Sequence, residues 1–118
     1  MNDDPPEELR LKDHGRMLEV RYAAGQSFSL SSEYLRVESP SAEVKGHGPG
    51  QEVTVPGKRN IAILKLEPVG HYAVRIIFDD GHSTGLYTWR YLRQLNEHRE
   101  VLWNEYLARL DAEGLSRG

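Results

Sequence analysis

Apolar and polar residues alternate most cleanly in the middle of the chain, where Val74, Ile76 and Phe78, with Tyr72 before them, share one side of an extended run. Arg75, Ile77 and Asp79 fall on the other, and this period of two predicts a strand buried on one face. Asp80-Gly81 then supplies a tight turn, and residues 83–87 can return beside the strand. Upstream, residues 61–66 form a second apolar run, linked through Glu67-Pro68-Val69-Gly70, which predicts a three-stranded antiparallel meander. The amino-terminal third repeats the pattern. Leu9 and Leu11, then Leu18, Val20 and Tyr22, then Phe28 and Leu30 alternate between the breaks at Asp13-His14-Gly15 and Ala24-Gly25-Gln26.

The period changes after residue 30. Ser31 and Ser32 are N-cap residues for a short helix ending near Val37, and Ser39-Pro40 stops it. Residues 41–50 carry three glycines and few large apolar side chains, which predicts an irregular loop, followed by a short strand at 53–55. Thr88 caps a second helix from Trp89. Leu92, Leu95, Leu102, Trp103, Tyr106, Leu107 and Leu110 fall within an arc of about 140° at 100° per residue, which predicts one continuous amphipathic helix to Glu113, with Gly114 as its stop. Asn96 offers an alternative break.

The pattern therefore predicts an α+β domain with one antiparallel sheet of about five or six strands, one short helix and a C-terminal amphipathic helix. Residues 1–8, rich in acid and proline, are expected to form a disordered tail, with the domain over 9–95 and the C-terminal helix and tail over 96–118. At 118 residues the chain can bury a core without staples.

Composition removes whole classes of chemistry. The absence of cysteine excludes disulfides, thiol nucleophiles, thiolate zinc sites and iron–sulfur ligation by this chain. A net charge of -3 speaks against general affinity for nucleic acid. No apolar run approaches the roughly 20 residues of a membrane span, and the amino end lacks a leader pattern, so a cytoplasmic location is expected.

Candidate chemistry is confined to two polar stretches. Asp79-Asp80-Gly81-His82 puts two carboxylates and an imidazole at a hairpin tip, a start for a hard or borderline metal that a second segment would have to complete. The same residues are also good turn formers with solvated flanks. The glycine-rich run 46–50 could offer backbone N–H groups to an anion, but it matches neither dinucleotide nor P-loop spacing. His98 and Glu100 lie about 200° apart on a helix and cannot share a metal. No serine has a base partner recognisable from spacing, and no enzyme activity is expected.

Taken together, residues 35–51 (LRVESPSAEVKGHGPGQ), 67–92 (EPVGHYAVRIIFDDGHSTGLYTWRYL) and 9–11 (LRL) resemble the gamma-butyrobetaine hydroxylase-like N-terminal domain family. The resemblance implies a structural zinc held by a C-x-C-x-x-C cluster and a downstream histidine. Those positions correspond here to Ser39, Ser41, Val44 and His82, so the inherited site is expected to be dead. It also implies a catalytic barrel that has no room after residue 95, so no oxygenase activity is expected. Similar domains are fused to P-loop ATPases of the Mrp type, which carry iron–sulfur clusters. The expected function is thus a non-catalytic interaction or ligand-binding module accessory to iron–sulfur protein maturation. Its surface would include His47, Gly48, Asp79, Asp80 and His82, its partner would be an iron–sulfur carrier ATPase, and the protein itself would be a monomer or weak homodimer. No cofactor is expected. The alternative is iron or zinc held near the turn by His82 and Asp80.

Overall fold

The computed structural model describes residues 4–46 and 52–118; His47 and Gly48 lie outside the described residues. Strands β1 (Glu8–Lys12), β2 (Met17–Arg21) and β3 (Ser27–Ser31) form the first antiparallel meander, and β4 (Ile63–Val69), β5 (Ala73–Phe78) and β6 (Leu86–Thr88) the second. The elements are those of an α+β protein, but the single sheet of five or six strands is corrected: among the described residues six strands divide into two three-stranded sheets. A main-chain hydrogen bond ties the two sheets together. Asp13, His14 and Gly15 take positive φ in the β1–β2 turn, and the Gly15 carbonyl accepts from Ile63 N–H at 2.7 Å. A Cβ on Gly15 would stand 2.3 Å from the Ile63 carbonyl oxygen, so only glycine permits this approach. A bulge at Leu64 then shifts the register against β5, and bulged strands bend, so the ladder between sheets is not extended.

Burial follows the alternation. Leu18, Val20 and Leu30 meet Ile63, Val74, Ile76 and Phe78, with Leu35, Leu92 and Leu95 closing the core from the helices. Tyr72 departs from its expected face and is 55% exposed just before β5. The strand expected at 53–55 is irregular chain, and the predicted tail yields Glu8 to β1, with Glu7 N–H bonded to the Arg21 carbonyl at 2.7 Å.

Helix α1 (Ser32–Val37) is capped by Ser31, whose hydroxyl accepts from Tyr34 N–H at 3.1 Å. At its far end the hydroxyls of Tyr87 and Tyr91 donate to the carbonyls of Leu35 and Glu38, satisfying acceptors that a helix end leaves free. A short helix, α2 (Ala42–Lys45), replaces part of the loop expected over 41–50. Thr88 caps α3 (Trp89–Glu97) as expected, through a 3.1 Å bond from Tyr91 N–H.

The expected continuous C-terminal helix is interrupted at His98, and α4 (Arg99–Ala112) follows. Packing supplies the reason. Leu92 and Leu95 belong to the main core, whereas Tyr106 and Leu110 join Val37 in a second cluster, with Trp103 packed against both. Asn96, the alternative break, instead accepts from Arg99 at 2.7 Å and braces the elbow.

Candidate functional site

The β5–β6 connection begins as a hairpin turn over Asp79-Asp80-Gly81, closed by Phe78 N–H to the His82 carbonyl at 3.0 Å and Gly81 N–H to the Phe78 carbonyl at 3.1 Å. Gly81 takes φ +90, the left-handed step that ends such three-residue turns. Residues 83–85 then do not pair with β5, as a direct hairpin would require, but swing across the segment between α1 and α2. That detour brings distant polar groups together.

His82 is the centre of the arrangement. Its ring is buried, with Nε2 2.9 Å from Ser39 Oγ and 3.4 Å from Ser41 Oγ, while Nδ1 stands 3.2 Å from Glu43 Oε2. Burial and the neighbouring Arg36 guanidinium push His82 below the ordinary imidazole value, against the opposing pull of Glu43 and Asp80. A neutral ring that donates from Nδ1 to Glu43 and accepts at Nε2 from the Ser39 hydroxyl satisfies both nitrogens.

Asp80 is occupied differently. Its Oδ2 receives Arg36 Nε at 2.9 Å and Lys58 Nζ at 2.7 Å, and its Oδ1 accepts from His82 N–H at 3.0 Å. Burial opposes ionisation, but these donors outweigh it and bring Asp80 down to about 2. Asp79 lies exposed and exchanges bonds with Ala62, its N–H donating at 2.9 Å and its Oδ1 accepting at 3.2 Å. Thus the structure joins Asp80 and His82 through the backbone but aims their side chains at different partners.

Serine, imidazole and carboxylate in this sequence have the connectivity of a hydrolase triad. The geometry does not present the hydroxyl. Ser39 is fully buried, and Gly85 covers it so closely that a Cβ there would meet Ser39 Oγ at 2.4 Å. Larger hollows open elsewhere, including one of 310 Å³ behind the hairpin, lined by Lys58, Arg59, Asp79 and Asp80. As a zinc site the cluster fits poorly: one imidazole, two neutral hydroxyls and the apolar, buried Val44 replace a thiolate-rich donor set. Among the described residues no group of three or more histidines and acids could hold a metal.

Arg36, Lys58 and Glu43 are the members that residue patterns did not disclose. They reach the turn across separations of 44, 22 and 39 positions, and each reads locally as an ordinary solvated charge. Ser39 and Ser41 stand out in the sequence only through the family resemblance.

The pattern of the family described as "Gamma-butyrobetaine hydroxylase-like, N-terminal" matches residues 9–93. None of the curated proteins matches. Two proteins solved in solution by NMR are similar over nearly the whole chain. One is 50% identical with TM-score 0.82, covering 99% of this chain and 88% of its own. The other is 44% identical with TM-score 0.79, covering 96% and 89%. A crystal structure of a protein of unknown function from Acidithiobacillus ferrooxidans, assigned to the DUF971 family, is 42% identical with TM-score 0.62 over 78% of this chain and 96% of its own. With most of its length inside that pattern, the chain belongs to the gamma-butyrobetaine hydroxylase-like N-terminal domain family.

Proposed function

We propose that the protein is a non-catalytic interaction module whose docking face is the 79–85 turn together with the α2 segment, and that it serves iron–sulfur protein maturation by engaging a cytoplasmic carrier ATPase. One observation carries the reading: the polar side chains that could have served chemistry are spent on locking two surface segments together. His82 is held by Ser39 and Glu43, and Asp80 by Arg36 and Lys58. A pre-ordered surface loses little entropy when a partner arrives. The exposed residues on it, Glu43, Asp79 and Thr84, are then the ones that touch the partner.

The test uses purified Mrp-type carrier ATPase immobilised on a biosensor. Wild-type protein binds; Asp79→Lys and Thr84→Lys lose binding while their melting temperatures stay near that of the wild type. Absence of wild-type binding, or binding indifferent to both substitutions, removes the proposal.

A second reading, iron or zinc held at His82 with Asp80, draws support from the convergence of Ser39, Ser41 and His82 within hydrogen-bonding distance. The salt bridges of Asp80 count against it. Stoichiometric metal in untagged protein that vanishes in His82→Ala would replace the first reading with this one.

A further inference from the structure

Next to the hairpin turn, sharing a hollow with Asp79 and Asp80, the chain treats its own residues 115–118 as a ligand. Gly114, at φ +68, ends α4: its N–H donates to the Asp111 carbonyl at 3.2 Å, and Leu115 N–H donates to the Leu110 carbonyl at 2.9 Å. This reverses the chain and lays residues 116–117 along the segment before β4. There Gly57 N–H donates to the Ser116 carbonyl and Arg59 N–H to the Arg117 carbonyl, each at 2.9 Å. The Arg117 side chain enters a groove and forks onto Glu33, Nε to Oε2 at 2.9 Å and Nη2 to Oε1 at 2.7 Å. Its guanidinium also lies 5.3 Å from the centre of the Trp103 ring.

Each part of this contact matches a known mode of peptide recognition. Main-chain bonds hold an extended segment whatever its sequence, and one side chain in a fitted pocket selects it. The pocket selects arginine: a planar fork meets a carboxylate, and a flat cation meets an indole face. Lysine offers a point charge and cannot reproduce the fork. Glu33 makes the demand strong, because its side chain is 8% exposed and a buried carboxylate without a cation is costly.

The groove extends beyond the tail. It encloses about 650 Å³ between the start of α1, the α3–α4 elbow and Arg117, with Glu97, Arg99 and Glu100 on its rim. When Arg117 withdraws, three carboxylates face the single guanidinium of Arg99, so the vacated groove favours a basic occupant. We propose that this groove is a recognition site for an extended, arginine-bearing segment of a protein partner, and that residues 115–118 occupy it in cis until that segment displaces them. This site adjoins the docking face, since Arg117 and Gly118 share a hollow with Asp79 and Asp80, but the proposal does not rest on that reading.

The experiment adds the blocked tetrapeptide Leu-Ser-Arg-Gly, and its lysine analogue, to full-length wild-type protein and to Arg117→Ala. Binding is followed by NMR at the Trp103 indole and at the Gly57 and Arg59 amides. Arg117→Ala binds the arginine peptide about tenfold more tightly than wild type, since the competing tail is disabled. The lysine peptide binds it about tenfold more weakly, and Glu33→Gln added to Arg117→Ala removes binding. A folded Arg117→Ala that ignores the peptide, or that binds both peptides equally, overturns the proposal. If Arg117→Ala does not fold, the wild type decides: excess arginine peptide must shift the Ser116 and Arg117 amides to free-chain positions, and unmoved signals overturn it. A wild-type dimer in sedimentation, with the tails exchanged, would assign the groove to a second copy instead.

Discussion

The two polar assemblies anchored on Arg36 and Glu33 of α1 use similar chemistry to opposite ends. Around the turn, His82 and Asp80 find all their partners within the fold, and Gly85 seals Ser39 from solvent. In the groove, Glu33 is as buried as His82, but its partner arrives on four residues of tail held by two main-chain bonds. Clusters closed within the core give rigidity; a cluster completed by a surface segment can exchange it. The difference lies in how each partner is tethered rather than in the strength of any one hydrogen bond.

His82→Ala should break the closed side most. It removes a buried ring and strands two hydroxyls, at a cost of about 2–4 kcal/mol in urea unfolding. Gly85→Ala attacks the same cluster by overpacking and should cost about 1–3 kcal/mol, with the Ser39–His82 bond lost from the His82 ring shifts in NMR. On the open side, Arg117→Ala leaves Glu33 without its cation. Because Arg117 is one-third exposed, about 1–2 kcal/mol is expected, and Glu33→Gln in that background should recover part of it. An Arg117→Ala loss equal to that of His82→Ala would erase the distinction between the two assemblies.

Acid sharpens the contrast. Asp80 titrates lower folded than unfolded, so its ion pairs stabilise fully above about pH 4, and that contribution disappears as pH falls through about 2. His82 is also depressed, so stability begins to fall once pH drops below 6.5 and the unfolded imidazole charges first. After discounting for screening, the Asp80 contribution is about 1 kcal/mol, and Asp80→Asn should flatten the acid limb of a urea-midpoint profile while leaving the limb near neutrality. Smallest of all, Thr84→Ala removes a 3.3 Å surface bond to Glu43 and should change stability by less than about 0.5 kcal/mol in the same assay.

Much of this could be read along the chain. The strands at 9–11, 17–21 and 74–78 follow a period of two, and Ser31, Thr88 and Gly114 mark helix ends through the local demands of unsatisfied N–H and C=O groups. The turn residues were legible too, but their roles were not. Asp80 reads as a solvated turn acid until Arg36 and Lys58 are folded against it, and Arg117 reads as one charge in a polar tail.

The sequence by itself determined most of the strands, the helix starts at Ser31 and Thr88 and the absence of thiol chemistry, because each depends on neighbours a few positions apart or on composition alone. Tertiary structure alone decided that six strands form two sheets, since that rests on Gly15 pressing against Ile63 and on the bulge at Leu64. It likewise decided that the C-terminal helix is interrupted at His98, with Leu92 and Leu95 in the main core and Tyr106 and Leu110 in a second cluster. The pairing of Ser39 with His82 and of Glu33 with Arg117 spans 43 and 84 positions, and no local pattern encodes contacts that exist only once the intervening chain has packed.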